Sequence, residues 1–148
     1  MSQYVEFFAA PNDAAAAAVR TKGPAARRYA VVDANDIHFD ADDAVIAWRN
    51  LLAGRAGHYL SEPGDPRMVA DMVNDGSAVF ALPDELVTDL IKASPRRLRD
   101  VAEVWVPVVV ADGTEIDVDT AAVLISGIAE LARAAAGTDD RLYCWVAC

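Results

Sequence analysis

The side chains able to do covalent or proton-transfer chemistry are few: Cys144, Cys148, His38, His58 and five serines in 148 residues. A thiol attacks as the thiolate, so Cys144 acts as a nucleophile only with His38 or His58 beside it to lower its pKa. On a buried strand the same residue is a small apolar filler, which suits its surroundings better. Cys148 stands four residues further on, which in a strand means the same face but about 13 Å away, beyond the roughly 7 Å that a disulfide bridges. The chain has no glycine-rich phosphate loop, no G-x-G-x-x-G, no H-E-x-x-H, no G-x-S-x-G and no C-x-x-C. No catalytic residue, cofactor or metal is therefore assigned.

Charge is the second kind of chemistry available. Asp33, Asp36, Asp40, Asp42 and Asp43, with Asn35 and His38 among them, form an oxygen-rich stretch of the kind that holds calcium or magnesium. Ile37 stands where an EF-hand needs its fifth-position ligand, so helix capping and solvation explain these carboxylates better. A second run, Asp112, Glu115, Asp117 and Asp119, either decorates a hairpin edge against aggregation or docks a basic partner. Arg96 and Arg99 face Asp100 and Glu103 at helical four-residue spacing, an ion-paired solvated face. Trp48, Trp105 and Trp145 suit core packing, and a shared ligand pocket is the alternative.

Periodicity and punctuation then give the elements that position these groups. Tyr4, Val5, Phe7 and Phe8 predict a strand ended by Pro11, and Asn12 or Asp13 caps a helix running to Lys22 before Gly23-Pro24. Tyr29–Asp33 reads as a strand. Asp40 caps a helix from Ala41, whose Val45, Trp48, Leu51 and Leu52 share one face up to Gly54. Residues 55–66 form a loop long enough to be functional or mobile. A short helix follows from Pro66 to Asn74, then a strand Ala78–Leu82, a helix Asp84–Ala93 and another from Pro95 to Ala102. Asp112-Gly113 predicts a hairpin turn between strands 104–111 and 114–118. The longest helix runs to Ala136, capped by Asp117 or Asp119, and Leu142–Val146 is a strand apolar on both faces.

The expected fold is one α+β domain over 1–148, with a small mixed or antiparallel sheet containing both terminal strands and covered by about five helices. Thirty alanines inflate the 54% hydrophobic content, yet 38 Val, Ile, Leu and Phe residues suffice for a core. A net charge of −10 repels nucleic acid and anionic membrane surfaces, so neither is expected as a partner. No apolar run approaches the ~18 residues of a spanning helix, and the N-terminus lacks a leader pattern. With only two cysteines, the expected setting is cytoplasmic. Nothing in the sequence sets an oligomeric state.

The ending LYCWV at Leu142–Val146, the W-V-P at Trp105–Pro107 and the opening YVEFFAAP resemble a family of uncharacterised actinobacterial proteins. In its order of parts the chain also resembles the YfbM-like domains of unknown function. The shared parts are a first strand, a tryptophan helix ending in a leucine pair and glycine, and a long helix before a last strand. These resemblances imply an α+β architecture and no catalytic residues.

Two functional readings follow. The first is a non-catalytic acidic module that recognises a protein with a basic surface, as an inhibitor or immunity protein does. The second is a small-molecule-binding protein or enzyme with a pocket near residues 55–66, using His58, Tyr59 and Cys144 and lined by Trp48 and Trp105.

Overall fold

A strand with apolar side chains on both faces is stable only in the middle of a sheet, and the two chain termini provide two such strands. In the computed structural model, which describes residues 4–55 and 57–148, β1 (Tyr4–Ala10) and β5 (Arg141–Ala147) pair antiparallel over their full length. β2 (Val31–Asp33) adds to β1, while β4 (Ala78–Ala81) and then β3 (Met68–Ala70) add to β5. The order is β2-β1-β5-β4-β3, antiparallel throughout. Five α-helices occur among the described residues: α1 (Asp13–Ala17), α2 (Ala41–Leu52), α3 (Asp84–Lys92), α4 (Pro95–Ala111) and α5 (Val118–Ala136). The fold is α+β, with both terminal strands at the centre of the sheet. Among the described residues no helix is long and apolar enough to cross a membrane.

The two-residue period of the strands divides the core. Val5, Phe7, Leu142, Cys144, Val146 and Phe80 face the layer of α2 to α5. Phe8, Val79, Tyr143 and Trp145 face the opposite side, where α1 lies. On the helical side Trp48 is the wedge: its ring lies 5.9 Å from Phe7 and 5.1 Å, edge to face, from Trp105, which in turn meets Phe39 at 5.6 Å. Each fully buried ring of this kind contributes roughly 1.5–3 kcal/mol from burial, and edge-to-face pairing adds to it. On the other side the Tyr143 hydroxyl donates to Asp13 Oδ1 at 2.8 Å, and Arg67 closes on Asp13 Oδ2 at 2.7 Å. The Trp145 indole N–H donates to the Arg20 carbonyl at 2.8 Å. Gly23, at φ +82°, lets the chain pass this ring, since a Cβ there would stand 3.2 Å from it.

Helix ends are closed by side chains. Asn12, Ser94 and Asp117 accept from Ala15, Arg97 and Thr120 amides. Asp40 occupies the N-cap position of α2, with no cap hydrogen bond from its side chain. At the other ends, guanidinium groups from neighbouring helices meet exposed carbonyls. Arg97 reaches Leu51 at 2.7 Å, and Arg133 reaches Ala93 at 2.9 Å.

Three expectations are corrected. The first helix stops at Ala17, and turns followed by a 3-10 segment at Pro24–Arg27 carry the chain onward. This course seats Val19 in the core and brings the Arg20 carbonyl to Trp145. The helix expected over 66–74 is instead β3 and loop, because the open edge of β4 offers ladder partners: Met68 pairs with Phe80, and the Ala81 amide donates to Arg67 at 2.9 Å. The hairpin expected at 104–118 is absent. Residues 104–111 continue α4, burying Val101, Trp105 and Val106. The carbonyl of Glu103, which Pro107 cannot satisfy, lies on the exposed side of this helix with Pro107 itself. Asp112-Gly113 ends α4, with Gly113 at φ +101° and its amide on Val110.

Burial, then the bond to Asp13, raises the Tyr143 pKa from 10.0 to about 12. The neutral phenol is thus favoured by the fold, and this contribution is complete below pH 10 and disappears as pH rises toward 12. Tyr143→Phe is expected to flatten the fall in unfolding midpoint between pH 10 and 12 relative to the unaltered chain. Parallel curves would contradict the assignment.

Candidate functional site

One face of α2 is covered by a loop instead of a helix. Asp42 and Asp43 recur seven residues later as Arg49 and Asn50, which at 3.6 residues per turn places all four on the same side. Residues 57–66 are strapped along this side. The Ser61 amide donates to Asp43 Oδ1 at 2.7 Å and its hydroxyl to Asp42 Oδ2 at 3.2 Å. Arg49 pairs with Asp65 at 2.8 Å. Asn50, buried, donates to the His58 carbonyl at 2.7 Å and accepts from Arg55, which continues to Glu85 at 2.6 Å. Ala56, inside the predicted loop, lies outside the described residues.

Cavities open around this strap. His58 and Tyr59 line one of about 580 Å³ together with Arg49, Arg55 and Asp65. A second, about 150 Å³, lies between Tyr59, Leu60 and Trp105 and is edged by Asp43 and Asp112. A third, about 440 Å³, sits beneath the start of α2, with Asp42 and Asp43 on its wall and Met68, Met72 and Phe80 on its floor.

The groups singled out in the sequence are thereby separated. Cys144 is fully buried on β5, and burial, helped by the Asp42 and Glu6 carboxylates, pushes its thiol pKa well up. A buried thiol of raised pKa is a core filler and not a nucleophile. Trp48 and Trp105 pack against each other in the core, and Trp145 lies across the sheet from them, so the three tryptophans share no pocket. Of the sequence candidates, His58 and Tyr59 line one cavity and Tyr59 and Trp105 another, while Trp48 and Cys144 line neither. Among the described residues no group of three or more His, Cys, Asp or Glu side chains is arranged to hold a metal ion.

What the structure adds is a junction. The Thr114 hydroxyl, buried in the turn between α4 and α5, donates to the His38 carbonyl at 2.7 Å. That bond spans 76 residues and brings together the acidic stretches 33–43 and 112–119. The hairpin expected to carry the second stretch is instead the end of α4 and the start of α5. Met68 and Met72, which the sequence places on the apolar side of a helix over 66–74, lie on β3 and in the loop after it and are exposed by 40% and 63%.

Two outcomes check this geometry. Iodoacetamide at neutral pH should modify Cys148 in the folded protein and both cysteines only in denaturant; rapid native labelling of Cys144 would contradict its burial. Asn50→Ala should cost about 1–2 kcal/mol in denaturant unfolding, by removing the two hydrogen bonds its buried side chain makes to the His58 carbonyl and Arg55, and should speed amide hydrogen exchange in residues 57–62. No protein-family model, curated protein or solved structure matches the chain, so its own residues carry the functional argument.

Proposed function

We propose that this chain is a non-catalytic acidic binding module that recognises a protein partner through that partner's basic surface, in the manner of an inhibitor or immunity protein. The observation that carries this reading is the joining of two acidic stretches at one pole by the Thr114–His38 bond. Residues 33–43 supply five carboxylates and 112–119 four, while 29–48 and 100–132 contain no Lys or Arg. Arg99, 2.9 Å from Asp119, stands at the rim.

Local stability accounts for only part of this charge. Asp42, Asp43, Asp117 and Asp119 lie at helix N-termini, where the dipole favours a carboxylate. The Thr120 amide and hydroxyl hold the Asp117 carboxyl below its usual range. Asp33, Asp36, Asp112 and Glu115 are exposed and have no such place. Asp112 is worse than neutral for the fold, since it sits at the C-terminal cap of α4, the negative end, where the last turn has no basic residue. Charge kept against local stability is what a surface selected for a cationic partner would contain. Such a surface speeds encounter with a basic protein and repels nucleic acid. A thiol-based enzyme is disfavoured by the burial of Cys144. A reducing, cytoplasmic setting suits the two free cysteines.

The test compares two variants of equal net charge, Asp112→Lys/Glu115→Lys at the pole and Asp89→Lys/Glu130→Lys away from it. Capture of a basic partner from native extract should weaken as salt rises, and the pole variant should lose about tenfold in affinity, ~1.4 kcal/mol. Asp112→Lys alone should raise the unfolding midpoint while weakening capture. Equal effects of the two charge pairs, or salt-insensitive capture, would overturn the proposal.

A further inference from the structure

We infer that the 440 Å³ cleft beneath the start of α2 seats an amphipathic basic segment of the partner protein, a short stretch that places a large apolar side chain beside a Lys or Arg. The inference rests on the acidic-pole reading for the partner's charge and on separate geometry for its apolar half. The cleft exists because the helical layer stops short of the β3 edge. α5 packs over β2, β1 and β5, and the start of α2 with Ser61 of the strap borders the helix-facing side of β4 and β3. Antiparallel register then sets its floor: Met68 lies opposite Phe80, and Ala78 lies opposite Val146. Because paired residues share a face, these four side chains form one apolar strip.

The cleft has the chemistry of a mixed ligand. Its floor contains two partly exposed methionines, whose unbranched thioether chains adapt to the shape of an incoming side chain. Its wall contains Asp42 and Asp43, each of which gives one carboxylate oxygen to Ser61 and so has a second for an incoming cation. Among the described residues no Lys, Arg or His lines it. A volume of about 440 Å³ is at the lower end of ligand cavities and admits an anchoring side chain, not a whole helix. The aliphatic stem of a Lys or Arg can lie along Met68 and Met72 while its head meets the aspartates.

The experiment uses the full chain with methyl-labelled methionine. It is titrated at physiological salt with a synthetic Lys/Leu amphipathic peptide and with a Lys/Ser peptide of equal charge. Met68 and Met72 methyl signals should shift and saturate with the amphipathic peptide, which should bind about tenfold more tightly than its polar counterpart. Met68→Ser/Met72→Ser, altered only at exposed side chains, should abolish that preference while keeping the folded spectrum. Equal affinity of the two peptides, or methionine signals that stay still, would overturn the cleft. If partner capture then still depended on Asp112 and Glu115, the acidic-pole reading would survive without it. Methionine shifts that follow protein concentration without peptide would place a second copy in the cleft, and would also overturn the inference.

Discussion

The antiparallel pairing of the two terminal strands is the constraint on which the rest depends. Phe7 opposite Cys144 and Phe8 opposite Tyr143 fix a register in which every residue of β1 and β5 belongs to one of two faces. A shift by one residue would exchange those faces and put Glu6 and Arg141 into the helical core. With both faces covered, the strip on the helical side admits only apolar groups. Cys144 is therefore held where a thiol is inert, and Trp48 is placed against Phe7. The centre of the molecule is committed to packing, and its chemistry has been moved to the ends of the helices.

At one such end the fold gathers negative charge. α2 and α5 both start at the same pole, because the turn after α4 is tied to the segment before α2 through Thr114. The loop at residues 57–66 covers the polar side of α2 and leaves clefts on either side of its strap. The strap is built from carboxylate, amide and guanidinium contacts on residues seven apart, so one helical face serves as a rail for a loop without regular structure. The proposed recognition surface thus consists of exposed charge on a rigid base, an arrangement that limits the ordering cost of binding.

Much of this was legible in the residues. Apolar side chains at consecutive positions in Phe7-Phe8 and Tyr143–Val146 pointed to interior strands, and the spacing of Val45, Trp48, Leu51 and Leu52 pointed to α2. The errors came where local signals competed with tertiary burial. Pro107 and Asp112-Gly113 together argued for a hairpin, but burial of Trp105 on the inner face of α4 outweighed the lost hydrogen bond of one proline on its outer face. β3 is only three residues long, and its strand character comes from β4, not from its own sequence. At the site, the seven-residue repeat of Asp42-Asp43 as Arg49-Asn50 was visible in principle. The junction of Thr114 with His38 was not, since no local pattern links residues 76 apart.

The central claim is that the pole formed by 33–43 and 112–119 is where another protein's cations come to rest. Carbodiimide cross-linking of the captured complex joins carboxylates directly to lysines in contact with them, and mass spectrometry then locates each bond. The account predicts that the linked residues of this chain cluster among Asp36, Asp42, Asp43, Asp112 and Glu115. Links concentrated instead on α3 and the far end of α5, at Asp89 and Glu130, would contradict it.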